Sequence, residues 1–213
     1  MSPPALVLAS TSRYRASLLG RLEVQFEALA PDYDEDAELS LFGSLRPDEF
    51  ALHLARGKAA SLRATRPEAW ILAADQIGVL QLDGAPRLLR KPGSVDAALA
   101  QLALMSGRSH ELITAVVLTP PGEGVPLETV DRHRLTMRRF GTDEARDYVE
   151  RHQPLDCAGG IRIEDAGIKL CERIEGSDYT GIIGLPLLAV ARLLRNAGLL
   201  PADAAPAERV GDQ

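Results

Sequence analysis

Four apolar residues, Leu6-Val7-Leu8-Ala9, stop at Ser10-Thr11-Ser12, after which Tyr14, Leu18, Leu19 and Leu22 return at helical spacing. The change of period predicts a strand, a tight turn and a helix, with hydroxyl residues where an N-cap belongs. A second short strand is expected at 26–30, followed by the acidic stretch Asp32-Tyr33-Asp34-Glu35-Asp36 and a loop rich in Gly, Ser and Leu. Pro47 suits the first turn of a helix running to about residue 65. Trp70-Ile71-Leu72-Ala73-Ala74 reads as a buried strand that ends on Asp75-Gln76, and 77–82 leads to Asp83-Gly84, a hairpin signal.

Beyond Lys91-Pro92-Gly93, a helix is predicted over 95–105. Segments 110–119 and 128–140, separated by Pro120-Pro121-Gly122, form an expected antiparallel pair, and Thr142 opens a helix reaching His152. Gly159-Gly160, Gly167, Gly176, Gly181 and Gly184 are expected to punctuate short strands, and a last helix starts at Pro186 and ends at Gly198. Residues 1–200 thus read as one α/β unit with room for two lobes, and 201–213, rich in Ala and Pro, as a mobile tail.

The composition suits such a unit: 213 residues, 46% hydrophobic and 25% charged, which excludes a disordered or collagen-like chain. A net charge of −6 argues against a nucleic-acid polymer as partner, since such binders neutralise phosphates with a Lys/Arg surplus, yet it leaves room for a local basic pocket. Two cysteines, Cys157 and Cys171, make no disulfide framework and more naturally pack as small apolar residues. No apolar run reaches membrane-spanning length and no signal segment opens the chain, so a cytoplasmic location without a membrane partner is expected.

Ser10, Thr11 and Ser12 at a helix start, with Arg13 and Arg15 in its first turn, suit an anion. Arginines there oppose the helix dipole unless an anion joins them. The same residues also read as an N-cap with solvated arginines. Asp75 after five apolar residues sits where an α/β sheet forms its crevices, to hold a hard cation, accept a proton, or do both. It reads equally as a strand-end turn residue. The acidic run 32–36 offers Glu35 as a second carboxylate to share Mg²⁺ or Mn²⁺, and reads also as a solvated loop. Lys58 interrupts the stripe Leu54, Lys58, Leu62, either snorkelling at its edge or reaching into a cleft, and Lys91 reads either as a point charge held by the turn at Pro92-Gly93 or as an exposed loop lysine. The four histidines show no zinc spacing.

Taken together, these blocks resemble the Maf family of nucleoside-triphosphate pyrophosphatases. The resemblance rests on Leu8-Ala9-Ser10-Thr11-Ser12 with Arg15, on Asp32-Tyr33-Asp34-Glu35, on Leu54-Ala55-Arg56-Gly57-Lys58-Ala59 and on Ala74-Asp75-Gln76. It continues through Arg90-Lys91-Pro92, Leu104-Met105-Ser106-Gly107, Pro154-Leu155-Asp156-Cys157-Ala158-Gly159 and Gly184-Leu185-Pro186-Leu187. It implies an elongated, twisted mixed sheet flanked by helices around a central cleft, similar to the inosine-triphosphate pyrophosphatases. The implied reaction is hydrolysis of a nucleoside triphosphate to monophosphate and pyrophosphate with a divalent metal, Mg²⁺ or Mn²⁺. By the same resemblance Ser10, Arg15, Lys58 and Lys91 handle phosphate, Glu35 is an acidic site residue, and Asp75 is the proton acceptor and, with Glu35, a metal ligand.

Arg13 and Tyr14 depart from the family's common Ser-Pro-Arg-Arg. Tyr14, Gln76 and Glu164 resemble the branch acting on 7-methyl-GTP, and are expected to set substrate choice. The competing expectations are a pyrophosphatase for dTTP, UTP or unmodified triphosphates, and a non-catalytic nucleotide-binding regulator of cell division. A homodimer is the expected assembly.

Overall fold

The computed structural model describes residues 5–201, so the tail expected beyond 201 lies outside the described residues. β1 (Leu6–Ala9) leads into α1 (Arg13–Gly20), then β2 (Glu27–Leu29), a 3-10 helix (Asp36–Gly43) and α2 (Pro47–Arg63). β3 (Trp70–Leu82) and β4 (Ala85–Leu89) form a hairpin whose turn residues, Asp83 and Gly84, both have positive φ, as a two-residue turn of this kind requires. α3 (Val95–Met105), β5 (Ser109–Thr119), β6 (Leu127–Met137), α4 (Thr142–His152), β7 (Cys171–Glu175), α5 (Tyr179–Ile183) and α6 (Leu187–Asn196) complete the order.

Among the described residues the strands form one mixed sheet, ordered β2-β1-β3-β5-β6-β7, with β4 also on β3. β1 runs parallel to β2 and β3, and every other pairing is antiparallel. β5 occupies one edge of β3 from Ile71 to Leu80. The opposite edge is divided, with β1 at Trp70–Leu72 and β4 at Gly78–Leu82, so β3 has no strand neighbour on that side between them. The sheet forks there. Beyond the carboxyl end of a parallel strand, such a division leaves a crevice.

Alternation along β3 sends Ile71, Ala73, Ile77 and Val79 to one face, where Phe50, Leu54 and Leu62 of α2 cover them. Leu72 and Ala74 point to the other face, under α1 and α6, and Leu80 lies farther along it among residues of α3 and α4. The two clusters on this second face are separate, and the gap between them is where the cleft lies.

Three expectations are corrected. Asp75 does not end a strand, because β3 continues for seven residues beyond it. The polar doublet Asp75-Gln76 lies in mid-strand, tolerated because the fork gives both side chains polar partners. The loop after Glu35 is a 3-10 helix, begun by Asp34, whose Oδ1 accepts the N–H groups of Asp36 (3.0 Å) and Ala37 (3.4 Å). The glycine-rich region after 157 holds one strand, two 3-10 turns and the short α5, rather than several strands. Gly159 and Gly160 there take left-handed backbone with φ of 73° and 68°. No helix among the described residues is long and apolar enough to cross a membrane.

Candidate active site

Ser12 caps α1, accepting the Arg15 N–H at 3.4 Å, while its own N–H donates to Ser10 Oγ at 3.1 Å. These hydroxyls turn the chain at the end of β1 and bring the N-terminus of α1 to the fork. The Arg15 side chain is fixed from far along the chain, its Nε donating to the Gly184 carbonyl at 3.0 Å. Burial pulls its guanidinium below the usual value, against the opposing pull of Asp75 and Glu35, which places all three in one electrostatic field.

Lys58 resolves its two readings in favour of the cleft. It is 4% exposed, and its ammonium pairs with Asp75 Oδ1 and, at 2.7 Å, with Glu35 Oε1. Asp75 is itself 3% exposed. Two carboxylates from β3 and from the loop before the 3-10 helix are thus gathered on one cation from α2. A buried carboxylate without such a partner would carry a large desolvation cost.

Burial raises the Glu35 carboxyl, but Lys58, Lys91 and Arg15 outweigh it and hold the group below its ordinary range. A carboxyl depressed in the folded state contributes stability that is complete above its unfolded value of about 4.3 and is lost as pH falls toward the lower folded value. Thermal unfolding of wild type and Glu35→Gln should therefore differ by a constant amount at neutral and mildly acidic pH. The difference should shrink below about pH 4.3. A gap that persists unchanged through the carboxylate range would show that Glu35 gains nothing from these cations.

A cavity of about 450 Å³ passes through the fork and is lined by Ser10, Tyr14, Arg15, Glu35, Lys58, Gln76, Lys91 and Glu164. A neighbouring cavity holds Asp75 and shares Glu35, Gln76 and Lys91 with it. All nine residues expected from sequence therefore meet in one region. They do not meet on one face. Asp75 lies on the α2 side of the sheet, and Gln76, its chain neighbour, on the other, so the region has a charged half and a second half beneath α1 and α5.

In that second half, Gln76 Nε2 donates to Gly181 O (2.7 Å), Ile182 O (3.2 Å) and Thr114 Oγ1 (3.0 Å). Two of these partners are carbonyls and can only accept, which fixes the amide and leaves Gln76 Oε1 as an acceptor for a ligand. Gly181 permits this close approach, since a Cβ there would overlap the Asp131 carboxylate. Glu164 lies at the rim, its carboxyl raised chiefly by burial despite the nearby Arg162. The Tyr14 ring already faces two guanidinium groups, Arg13 at 5.0 Å and Arg162 at 5.9 Å from its centroid. Further positive charge stacked on Tyr14 would meet these two cations.

Three contributors escaped the sequence analysis. Arg162 ties Asp156 (2.9 Å) and Asp165 (3.3 Å) together beside Tyr14. Tyr33 lines the cavity of Asp75, with a buried hydroxyl that has no hydrogen-bond partner; burial, then Glu38, Asp75 and Glu35, push it up to about 12. A Cβ on Gly57 would overlap the Tyr33 ring, and a glycine inside α2 beside Lys58 was the available signal. The third, His110, is buried and lines the cleft. Cys157 also lines the cleft, its thiol pushed up to about 11 mainly by burial, which suits a packed thiol and not a nucleophile.

Among the described residues no group of three His, Cys, Asp or Glu side chains gathers to hold a metal. Asp75 and Glu35 are hard oxygen donors already sharing one cation. They fit a divalent ion that takes its remaining ligands from phosphate and water, as Mg²⁺ commonly does.

A family profile described as Maf-like protein matches residues 5–197. A 7-methyl-GTP pyrophosphatase of Syntrophotalea carbinolica is 38% identical over 194 residues, covering 91% of this chain and 95% of that protein. A protein of the same name from Xanthomonas campestris pv. campestris is 42% identical over 195 residues, covering 92% and 97%. Among solved structures, a nucleoside-triphosphatase / dITP/XTP pyrophosphatase from Mycobacterium abscessus overlaps 93% of this chain and 100% of that chain, with 20% identity and a TM-score of 0.45.

Proposed function

The chain belongs to the Maf-like protein family, and on that premise we propose that it hydrolyses 7-methyl-GTP to the monophosphate and pyrophosphate. The observation that carries hydrolysis is the buried Lys58 gripping Asp75 and Glu35 at the fork, beside the N-terminus of α1. The base is supported by relatives of that name and by Glu164 and Gln76 Oε1, two acceptors in the other half of the cleft.

Phosphoryl transfer is mainly positioning and charge stabilisation. The α1 N-terminus, Ser10, Arg15 and Lys91 bind and orient the triphosphate. Lys58 holds Asp75 in place, and Asp75 takes the proton from a water attacking the α-phosphorus in line with the departing pyrophosphate. Asp75 and Glu35 would hold Mg²⁺ or Mn²⁺, which when bound supplies neutralisation of phosphate charge. Glu164 accepts hydrogen bonds from the N1–H and exocyclic amine of guanine, and its negative charge favours the cationic N7-methylated ring.

Pyrophosphate release from methylated and unmethylated triphosphates, with Mg²⁺ or Mn²⁺, tests this reading. The expected kcat/KM for 7-methyl-GTP exceeds that for GTP by about 1.5–3 kcal/mol, roughly ten- to a hundredfold. Glu164→Gln should lower kcat/KM for both guanine nucleotides, more for 7-methyl-GTP than for GTP, and so erode that ratio while leaving the phosphate chemistry intact. Equal values for the two nucleotides in wild type would sink the base assignment, faster turnover of dTTP or UTP would replace it with a pyrimidine, and binding without turnover would make the protein a nucleotide-binding regulator.

A further inference from the structure

His110 belongs to no part of the chemistry above. It stands on β5, paired in register with Leu80 and Leu135, and is 3% exposed. It nevertheless lines the cleft, and its Nδ1 is buried without a hydrogen-bond partner. A buried polar atom left unpaired costs free energy unless something arrives to satisfy it.

Its position identifies what arrives. Thr114, four residues along the same face of β5, sits opposite Gln76 at the fork. At about 3.3 Å per residue, His110 lies some 13 Å along β5 from Thr114 and its partner Gln76. Leu112, Leu135, Ile161, Ile163 and Ile182 line the cleft in this half, an apolar bed for a flat ring. With phosphates at the α1 N-terminus, the part of a nucleotide that extends farthest along this bed is the base. Burial pushes the imidazole down to about 4, so at neutral pH the ring is uncharged and does not repel a cationic base.

We propose that His110 is a specificity-determining residue whose imidazole N–H donates to O6 on the far edge of a purine base, the acceptor that Glu164 leaves free, whereas a pyrimidine extends less far from the ribose. The proposal rests on the nucleotide occupying the cleft as described, and it does not require turnover.

Calorimetric binding of 7-methyl-GTP and UTP, in chelator so that neither is consumed, separates the two questions. His110→Leu keeps an apolar side chain of similar bulk and removes the hydrogen bond. It should weaken 7-methyl-GTP about tenfold and UTP less than twofold, in line with one lost hydrogen bond to a charged ligand. His110→Asn, which places an amide near the position of Nδ1, or His110→Gln, which reaches that of Nε2, should recover part of the purine preference. Two isosteres also guard against a misfolded leucine variant. Equal weakening of both nucleotides, or of neither, in folded leucine and amide variants overturns the proposal. Pyrophosphate release by wild type is assayed alongside. Its absence, with the binding ratio still governed by His110, discards hydrolysis and leaves the base contact standing.

Discussion

Asp75→Asn lowers pyrophosphate release by at least about 10²-fold while nucleotide binding persists. The substitution keeps the size of the side chain and an oxygen able to accept from Lys58, but removes the charge that takes a proton or holds a divalent ion. Lys58 retains Glu35 at 2.7 Å, so the buried ammonium is not abandoned and the protein stays folded. Steady-state release of pyrophosphate, with calorimetric binding on the same preparations, checks both halves. Near wild-type turnover would reduce Asp75 to a structural member of β3.

Lys58→Met abolishes turnover and also destabilises the fold, by about 3–5 kcal/mol. From sequence, the expected result is a folded, inactive protein, because methionine retains the apolar stem. The structure changes that expectation. Both members of the Lys58–Asp75 pair are buried, with side chains 5% exposed, and deleting the cation strands a carboxylate inside the sheet. Exposed salt bridges rarely matter to stability, but a buried pair broken on one side does. Lys58→Met/Asp75→Asn should therefore regain most of the lost stability in denaturant unfolding and none of the activity. Lys91→Met, at an exposed turn, should lose turnover with stability unchanged within about 0.5 kcal/mol. A Lys58→Met protein as stable as wild type would mean that the two charges do not depend on each other.

The elements were legible where their signals are local. Strand-turn-helix at Leu6–Ala9 and Arg13–Gly20, the proline-led α2 and the Asp83-Gly84 hairpin follow from hydrophobic period, capping and turn chemistry within a few residues. The residues of the charged centre were visible as candidates, but taken singly Asp75, Glu35, Lys58, Arg15 and Lys91 each read as well in a plain structural role, and it was their order along the chain, through the family resemblance, that joined them.

What only the tertiary structure decided is how those residues are distributed in space. Asp75-Gln76 looked like the end of a strand because an uncompensated carboxylate cannot stay buried, and the compensating ammonium lies 17 residues upstream on another element. Pairing of β3 with β1 and β4 along one edge creates the fork, and strand alternation then sends Asp75 and Gln76 to opposite faces. Arg15 finds its anchor at Gly184, 169 residues away, and His110 becomes part of the site through the register of β5 alone. Periodicity reports which way a side chain faces within its own element. Which partner waits there depends on pairings between distant segments, which no local pattern encodes.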